Sequence, residues 1–326
     1  MRKVKWGVLG CANFAKGVTI PAMLKTDSVE LVGAASRSKE KAEAFAQEFG
    51  LARAYGSYEE LLADPEIEAV YNPLPNGLHA EWTIKAAQAG KHSLTEKPFA
   101  SNVAEAEQVA AAVKASGVKV MEAFMWRFHP MHRRARELAR TGAIGNVRFL
   151  RSAFTFTLAR QTNVRLDAQM AGGGIMDVGC YCISAARFFF DAEPIRAYVR
   201  ADFDPEYNVD MLAAGLLEFP GKYATFDAGF ALPYRCDYEL VGEAGRIVCN
   251  NAFLPGEKPE LHVHAGGKSE VETFDPVNQY TLEFDHLSRA IAEGTPLDYD
   301  IEDAIKQQKA VDAVLRSTRS GQVETV

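Results

Sequence analysis

The chain has 326 residues, room for about two domains at roughly 150 residues apiece, each able to bury a core. Hydrophobic residues make up 48% and charged residues 24%, which excludes disorder, collagen-like repeats and low-complexity scaffolds. With 36 basic against 43 acidic side chains the net charge is −7, so no global basic field draws nucleic acid or anionic lipid, and an anionic ligand needs a local pocket.

Taken in chain order, residues up to about 123 alternate short β-rich runs with helical patterns, the signature of a parallel sheet covered by helices on both faces. Strands are predicted over 4–9, 30–35, 69–72, 92–95 and 118–123, with a shorter one near 52–55. Between them, 38–49 and 103–115 are rich in Ala, Glu, Lys and Gln, with Gly50 and Gly117 where helix C-caps belong. The expected fold class is an α/β Rossmann domain with a parallel sheet over 1–124. After about residue 145 the pattern turns to alternating strands, 147–158, 209–219, 223–232 and 246–249, joined by turn pairs such as Pro220-Gly221. That predicts an α+β C-terminal domain over 125–326, with a large, open, mainly antiparallel sheet for substrate binding and oligomerisation. One helix, 174–190, is embedded in it, and two more, 279–293 and 301–319, close the chain with room to pack back on the Rossmann domain. The two halves are expected to pack tightly around a cleft. The spacing of Phe154, Phe156, Phe226 and Phe230 predicts one apolar sheet face suited to an interface between subunits.

The five cysteines, Cys11, Cys180, Cys182, Cys236 and Cys249, show no CxxC pair and no zinc spacing, so free thiols and no metal are expected. MRKVK followed by WGVLGCANFA has the outline of a signal peptide, but Gly7, Gly10 and Asn13 interrupt its apolar stretch. No stretch approaches the roughly 18 apolar residues that span a bilayer, and the expected location is the reducing cytoplasm.

The first strand runs into GCANFA at 10–15 and then a helical segment, the place of a Rossmann phosphate loop. Gly10 permits the tight turn, small Ala12 lets amides approach a pyrophosphate, and Ala15 lets the helix pack on the strand, with Cys11, Asn13 and Phe14 completing the loop. Ala12 replaces a glycine, and its methyl asks for a slightly displaced loop or cofactor. Where NAD sites place an acid, at the end of the second strand, the chain has Ala35-Ser36-Arg37. No carboxylate repels a 2′-phosphate there, and Ser36, Arg37 and Lys41 are positioned to meet it, so NADP(H) is expected over NAD(H).

TEKPFA at 95–100 ends the fifth strand, and carboxyl ends of strands border the ligand crevice, so Glu96, Lys97 and Pro98 are expected to face the nicotinamide. A lysine there donates to a substrate oxygen or lowers the pKa of a neighbouring acid. GGGIMDVGCYC at 172–182 sets Asp177 and Tyr181 four apart, on one face of a regular helix, and a buried Asp calls for a ligand or catalytic partner.

The phosphate loop, PNGLH at 75–79, EKP at 96–98 and GGGxxDVGCY at 172–181, in that order, resemble the glucose–fructose oxidoreductase, inositol dehydrogenase and rhizopine catabolism family, written Gfo/Idh/MocA. FMWRFHP at 124–130 and the Tyr of DVGCY are most similar to its NADP-dependent D-xylose dehydrogenases and dimeric dihydrodiol dehydrogenases; many inositol-type members carry His where this chain has Tyr181. The resemblance implies an NADP-dependent oxidoreductase acting on a sugar or polyol, foremost a D-xylose-type aldose 1-dehydrogenase forming a lactone. A keto-sugar reductase, a trans-dihydrodiol dehydrogenase and a catalytically silent NADP-binding sensor are its alternatives.

It further implies Lys97 and Tyr181 as the catalytic pair, with Asp177 lining the sugar site. Pro75, Asn76, His79, Glu96, Lys97 and Pro98 would border the cofactor, the Lys97-Pro98 peptide often being cis in the family. Trp126, Arg127 and Phe128, with Arg165 and Tyr280, would touch substrate, while His79 fits a helix-start cap as well as a cofactor contact. A homodimer or homotetramer through the C-terminal sheet is implied too. Tyrosine alone, with a pKa of about 10, is a poor base, and a cationic Lys97 nearby would favour tyrosinate.

Overall fold

The computed structural model describes residues 2–159 and 163–326, which form two compact units. The first comprises the chain through Met125 together with Asn278–Ile305; the second comprises Trp126–Val277 and Lys306–Val326.

The first unit carries strands β1 (Val4–Leu9), β2 (Val29–Ala35), β3 (Arg53–Tyr55), β4 (Ala69–Asn72), β5 (His92–Glu96) and β6 (Val120–Ala123). All pair in parallel in the order β3-β2-β1-β4-β5-β6. This is the doubly wound Rossmann arrangement, whose order reverses between β1 and β4, the place where such sheets bind ligands at their carboxyl ends. Strand β4 is buried throughout, as a strand covered on both faces must be. The crossovers are helices α1 (Ile20–Met23), α2 (Lys39–Phe49), α3 (Tyr58–Ala63), α4 (His79–Gln88) and α5 (Val103–Ser116). Sequence signals mark their ends: the Ser38 hydroxyl caps α2, the Asn102 side chain caps α5, and Gly50 and Gly117 close the two helices at φ +65° and +72°.

The second unit holds α6 (Pro130–Arg140), β7 (Val147–Thr157), α7 (Cys180–Phe190), β8 (Arg196–Phe203), β9 (Asp210–Phe219), β10 (Lys222–Gly229), β11 (Ala231–Gly242), β12 (Gly245–Asn250), β13 (Glu260–Ala265) and β14 (Lys268–Thr273). Helices α8 (Gln279–Glu293) and α9 (Ile301–Ser320) and strand β15 (Glu324–Thr325) follow. The nine-stranded sheet runs β14-β13-β12-β11-β7-β10-β9-β8-β15, antiparallel except for the β7–β10 pair. The single strand expected over 223–232 is two: β10 stops at Gly229, whose φ of +148° breaks the extension, and β11 opens at Ala231. Helix α8 belongs to the first unit, where the Trp6 ring packs edge-on to Phe284 and the Trp6 indole N–H donates to Ser288 at 3.0 Å.

One sheet face packs on α7 through ring pairs Phe154–Tyr181, Tyr238–Phe189 and Phe219–Phe190. Phe154, Phe226 and Phe230 are therefore core residues, and the outward apolar face expected from their spacing does not exist. Phe154 and Phe226 share a sheet face, which α7 covers at Phe154; Phe230 lies past the end of β10, and Phe156 is half-buried with its ring 5.2 Å from that of Phe230. The opposite face is mixed: Tyr198 and Tyr223 are exposed among the ion pairs Arg246–Glu239 and Arg196–Glu218.

Candidate functional site

In the first unit β1 ends at Leu9 and the chain turns at Gly10, with φ +97° and its amide donating to the Ala35 carbonyl at 2.8 Å. A Cβ there would sit 2.9 Å from Leu74 Cδ2, so both conformation and space select glycine. Ala12 lies outside the positive-φ region, so its backbone conformation does not itself demand a glycine. Ala15 is fully buried, as close helix–strand packing requires. The helix that follows opens at Asn13, with the Lys16 amide donating to the Ala12 carbonyl at 3.0 Å, and is wound as a π-turn over Ala15–Thr19; Ala12, at its cap position, has no side-chain acceptor for the first amides, the arrangement that receives anions.

Past β2, Ser36 accepts from the Ser38 amide at 3.2 Å, no acid adjoins it in the run Ala35-Ser36-Arg37, and Glu40 accepts the Ser38 hydroxyl at 2.7 Å. Arg37 is hydrogen-bonded to Tyr58, whose hydroxyl lies 3.7 Å from where a Gly10 Cβ would be; burial raises that tyrosine's pKa. Tyr58 thus stands between Gly10 and Arg37, a place its only sequence signal, a position after the capping Ser57, does not announce. Lys41 acts electrostatically on Cys11, whose thiol burial pushes up to about 11. A glycine turn with no room for a side chain, a helix start whose cap residue Ala12 offers no side-chain acceptor, and the cations Arg37 and Lys41 together fit a dinucleotide with a 2′-phosphate.

Strand β5 ends at Glu96, and the Lys97-Pro98 peptide is cis. Glu96 accepts the Tyr71 hydroxyl at 2.6 Å, and burial, with Glu96 close by, holds the tyrosine well above its ordinary pKa. Pro75 and Asn76, half-buried, open the turn after β4. His79 is wholly buried, with Nδ1 2.7 Å from the Pro98 carbonyl and Nε2 2.6 Å from that of Leu74. Both ring nitrogens face backbone carbonyls, and the one N–H of the neutral ring donates to one of them, so the histidine is turned toward the backbone and braces the loop after Lys97. Burial pushes its pKa down to about 4, against the pull of the two carbonyls. Tyr280, expected at the substrate, stands in the first unit with its ring 6.0 Å from that of Phe14; burial, with Glu96 and Glu283 nearby, raises its pKa.

In the second unit the three glycines before the helix are packed. A Cβ on Gly172 would strike the Arg165 carbonyl, one on Gly173 the Asp210 carboxylate, and one on Gly174 the Gly229 Cα. The helix then opens with a π-turn over Ile175–Gly179, a feature that recurs at functional sites. Asp177 lies on it, 8% exposed, and accepts from Arg165 Nε at 2.6 Å. Two residues singled out separately are therefore one ion pair, and Arg165, whose side chain is 42% exposed, is the partner that a buried aspartate requires. The Tyr181 ring lies between Phe154 and Phe253, 5.3 and 5.2 Å away. Because Asp177 and Tyr181 straddle the junction of π-turn and α7, the one-face argument for a regular helix does not carry over; what they share is burial at the helix start.

Trp126 is enclosed by His132, Phe188, Phe189 and Phe253 and is a core side chain, company that the linear motif FMWRFHP does not reveal. Arg127 donates to the Ser184 hydroxyl at 3.1 and 2.9 Å, anchoring the segment to α7, and Phe128 is buried beneath Arg133. Among the described residues no group of His, Cys, Asp and Glu is arranged to hold a metal, and no helix is long and apolar enough to cross a membrane.

Residues 4–124 match the model of the Gfo/Idh/MocA oxidoreductase family with its NAD-binding Rossmann fold, and 132–248 match that of the Gfo/Idh/MocA C-terminal domain. The chain belongs to the Gfo/Idh/MocA family and is a nicotinamide-dependent oxidoreductase acting on CH–OH groups. It is 38% identical to a D-xylose 1-dehydrogenase (NADP(+)) of Haloferax volcanii over 97% of this chain and 98% of that protein. Among solved structures it is similar to KijD10, a 3-ketoreductase from Actinomadura kijaniata in complex with NADP and TDP-benzene, with TM-score 0.90 and 31% identity over 97% of this chain and 98% of that one. An aldose–aldose oxidoreductase from Caulobacter crescentus, complexed with glycerol, superposes with TM-score 0.93 at 28% identity over the whole of both chains.

Proposed function

We propose that the protein is an NADP-dependent aldose 1-dehydrogenase that oxidises a D-xylose-type sugar at C1 to its lactone. The observation that carries the reading is the first turn of the 174–190 helix, where a buried Asp177, paired with a half-exposed Arg165, accompanies a buried tyrosine. The similarity to the D-xylose 1-dehydrogenase supports the sugar, and the uncapped loop with Ser36, Arg37 and Lys41 supports NADP(H).

When bound, the nicotinamide accepts the hydride. The loop from Gly10 to Phe14 would hold the pyrophosphate, Ser36, Arg37 and Lys41 the 2′-phosphate, and Pro75, Asn76, Glu96 and Pro98 would border the nicotinamide end. Tyr181 Oη takes the proton of the C1 hydroxyl, and Lys97 Nζ donates to that same oxygen while its charge favours tyrosinate. Asp177, oriented by Arg165, accepts from the sugar's other hydroxyls. In the reducing direction Tyr181 returns the proton. The reading requires Lys97 and Tyr181, carried by different units, to reach one sugar.

A screen following absorbance of the reduced cofactor against aldoses, keto sugars and trans-dihydrodiols tests this. NADP(+) reduction by a pentose aldose is expected. Oxidation of NADPH by a keto sugar with no aldose turned over would replace it with the second reading, a keto-sugar reductase, which the likeness to a 3-ketoreductase favours. Association through the outer sheet face, supported by exposed Tyr198 and Tyr223, predicts a dimer or tetramer; a monomer in sedimentation at micromolar concentration would reject it.

A further inference from the structure

Asp210 opens β9, is 3% exposed, and has no part in the chemistry above. Its Oδ2 accepts the Ile175 amide at 2.6 Å, the Gly174 amide is a second donor, and its Oδ1 fills the space that a Gly173 side chain would need. The sheet holds it from the other side. Gly229, at the end of β10, packs so closely that its Cβ would strike the Met211 carbonyl, which also accepts the Phe230 amide at 2.6 Å. The carboxylate therefore joins the start of β9 to the first turn of the helix that carries Asp177 and Tyr181.

We propose that Asp210 is a positioning residue that sets where Asp177 and Tyr181 stand by accepting the first two amides of their helix. The proposal rests on the reading of those two residues given above. A neutral Asn or Ser caps a helix without burying a charge. Here burial pushes the Asp210 pKa up to about 7, although the amides of Ile175 and Gly174 and the charge of Arg319 pull the other way. The charged side chain that acts on it is Arg319, near the end of α9. A carboxylate buried at the start of the helix that carries Asp177 and Tyr181, where a neutral cap would serve, is the pattern of a site selected for activity over stability.

The test compares wild type, Asp210→Asn and Tyr181→Phe with the same sugar. Asp210→Asn keeps the shape but loses the double acceptor, and kcat should fall about tenfold with the cofactor KM unchanged. The folded-state pKa lies above the ordinary carboxylate value, so wild type loses stability as pH rises toward and through about 7. The asparagine does not titrate, so its melting temperature should exceed that of wild type by at least about 2 °C at pH 8, with the gain fading toward pH 5. Loss of activity with gain of stability supports positioning. Wild-type kcat in Asp210→Asn while Tyr181→Phe is impaired overturns it and leaves the catalytic reading standing; loss of both kcat and melting temperature reduces Asp210 to a structural cap and overturns it as well. Normal turnover in Tyr181→Phe would instead remove the reading beneath it. Should Asp210→Asn fail to fold, Asp210→Glu, which keeps the charge and shifts the carboxylate, decides by the same kcat criterion.

Discussion

Two helix starts in this chain share one construction and differ in how they are finished. Each follows a glycine turn and is wound as a π-turn near its start, over Ala15–Thr19 in the first unit and Ile175–Gly179 in the second. At the first, no side chain caps the turn, and the reading above gives that place to a cofactor phosphate. At the second, the chain supplies its own anion, Asp210. An uncapped helix start is a receptor for a mobile anion; a start sealed by a buried carboxylate is a fixed platform. On the function proposed above, the first suits cofactor exchange and the second the steady placement of Asp177 and Tyr181.

The largest effect should come from the platform's own chemistry. Tyr181→Phe removes only a hydroxyl and should lower turnover by about 10²–10⁴-fold while sparing cofactor binding. Lys97→Ala should cost at least as much, and the double variant should lose far less than the product of the single effects. Steady-state rates with a parallel cofactor titration check this, and near-normal turnover in Tyr181→Phe would assign the proton to another carrier.

On the receptor side the effect should be smaller and confined to binding. Arg37→Ala removes a charge-assisted phosphate contact and should weaken NADP(H) by about one to two decades, leaving NAD(H) almost unchanged. Fluorescence titration of the reduced cofactors measures both, and a wild type preferring NAD(H) would sink the assignment.

Smaller again, Arg165→Ala should raise the sugar KM by about tenfold with the cofactor KM unmoved. The lost bond is charge-assisted, but solvent screens it at an arginine side chain that is 42% exposed. An equal rise in both constants would mean that the helix start, not the sugar contact, had been disturbed. The smallest effect belongs to Arg235→Ala, which breaks an exposed pair with Asp227 on the outer sheet face. It should shift stability by less than about 0.5 kcal/mol and leave kinetics alone, as scanning calorimetry would show.

Much of the first unit was legible in sequence because its signals are local: apolar runs for strands, runs rich in Ala, Glu, Lys and Gln for helices, Gly50 and Gly117 at their ends, and Gly10 at the loop. The second unit resisted where the meaning of a residue depends on what covers it. Phe154 and Phe226 share the face that their spacing assigns them, but a helix covers it rather than a subunit. Trp126 sits in a motif that resembles a substrate border, yet four aromatic neighbours make it core.

By itself the sequence determined the alternation of strand and helix, the glycine turns, the missing acid after β2 and the order of the motifs, because each depends on residues close together in the chain. Only the tertiary structure decided that Arg165 is the partner of Asp177, that His79 turns both nitrogens toward the carbonyls of Leu74 and Pro98, that Tyr58 holds Arg37, and that Asp210 seals a helix start 35 positions away in the chain. Each of these is a polar pairing between distant segments. A buried polar group must find a partner, but which one it finds depends on the packing that brings the segments together, and no local pattern records that choice.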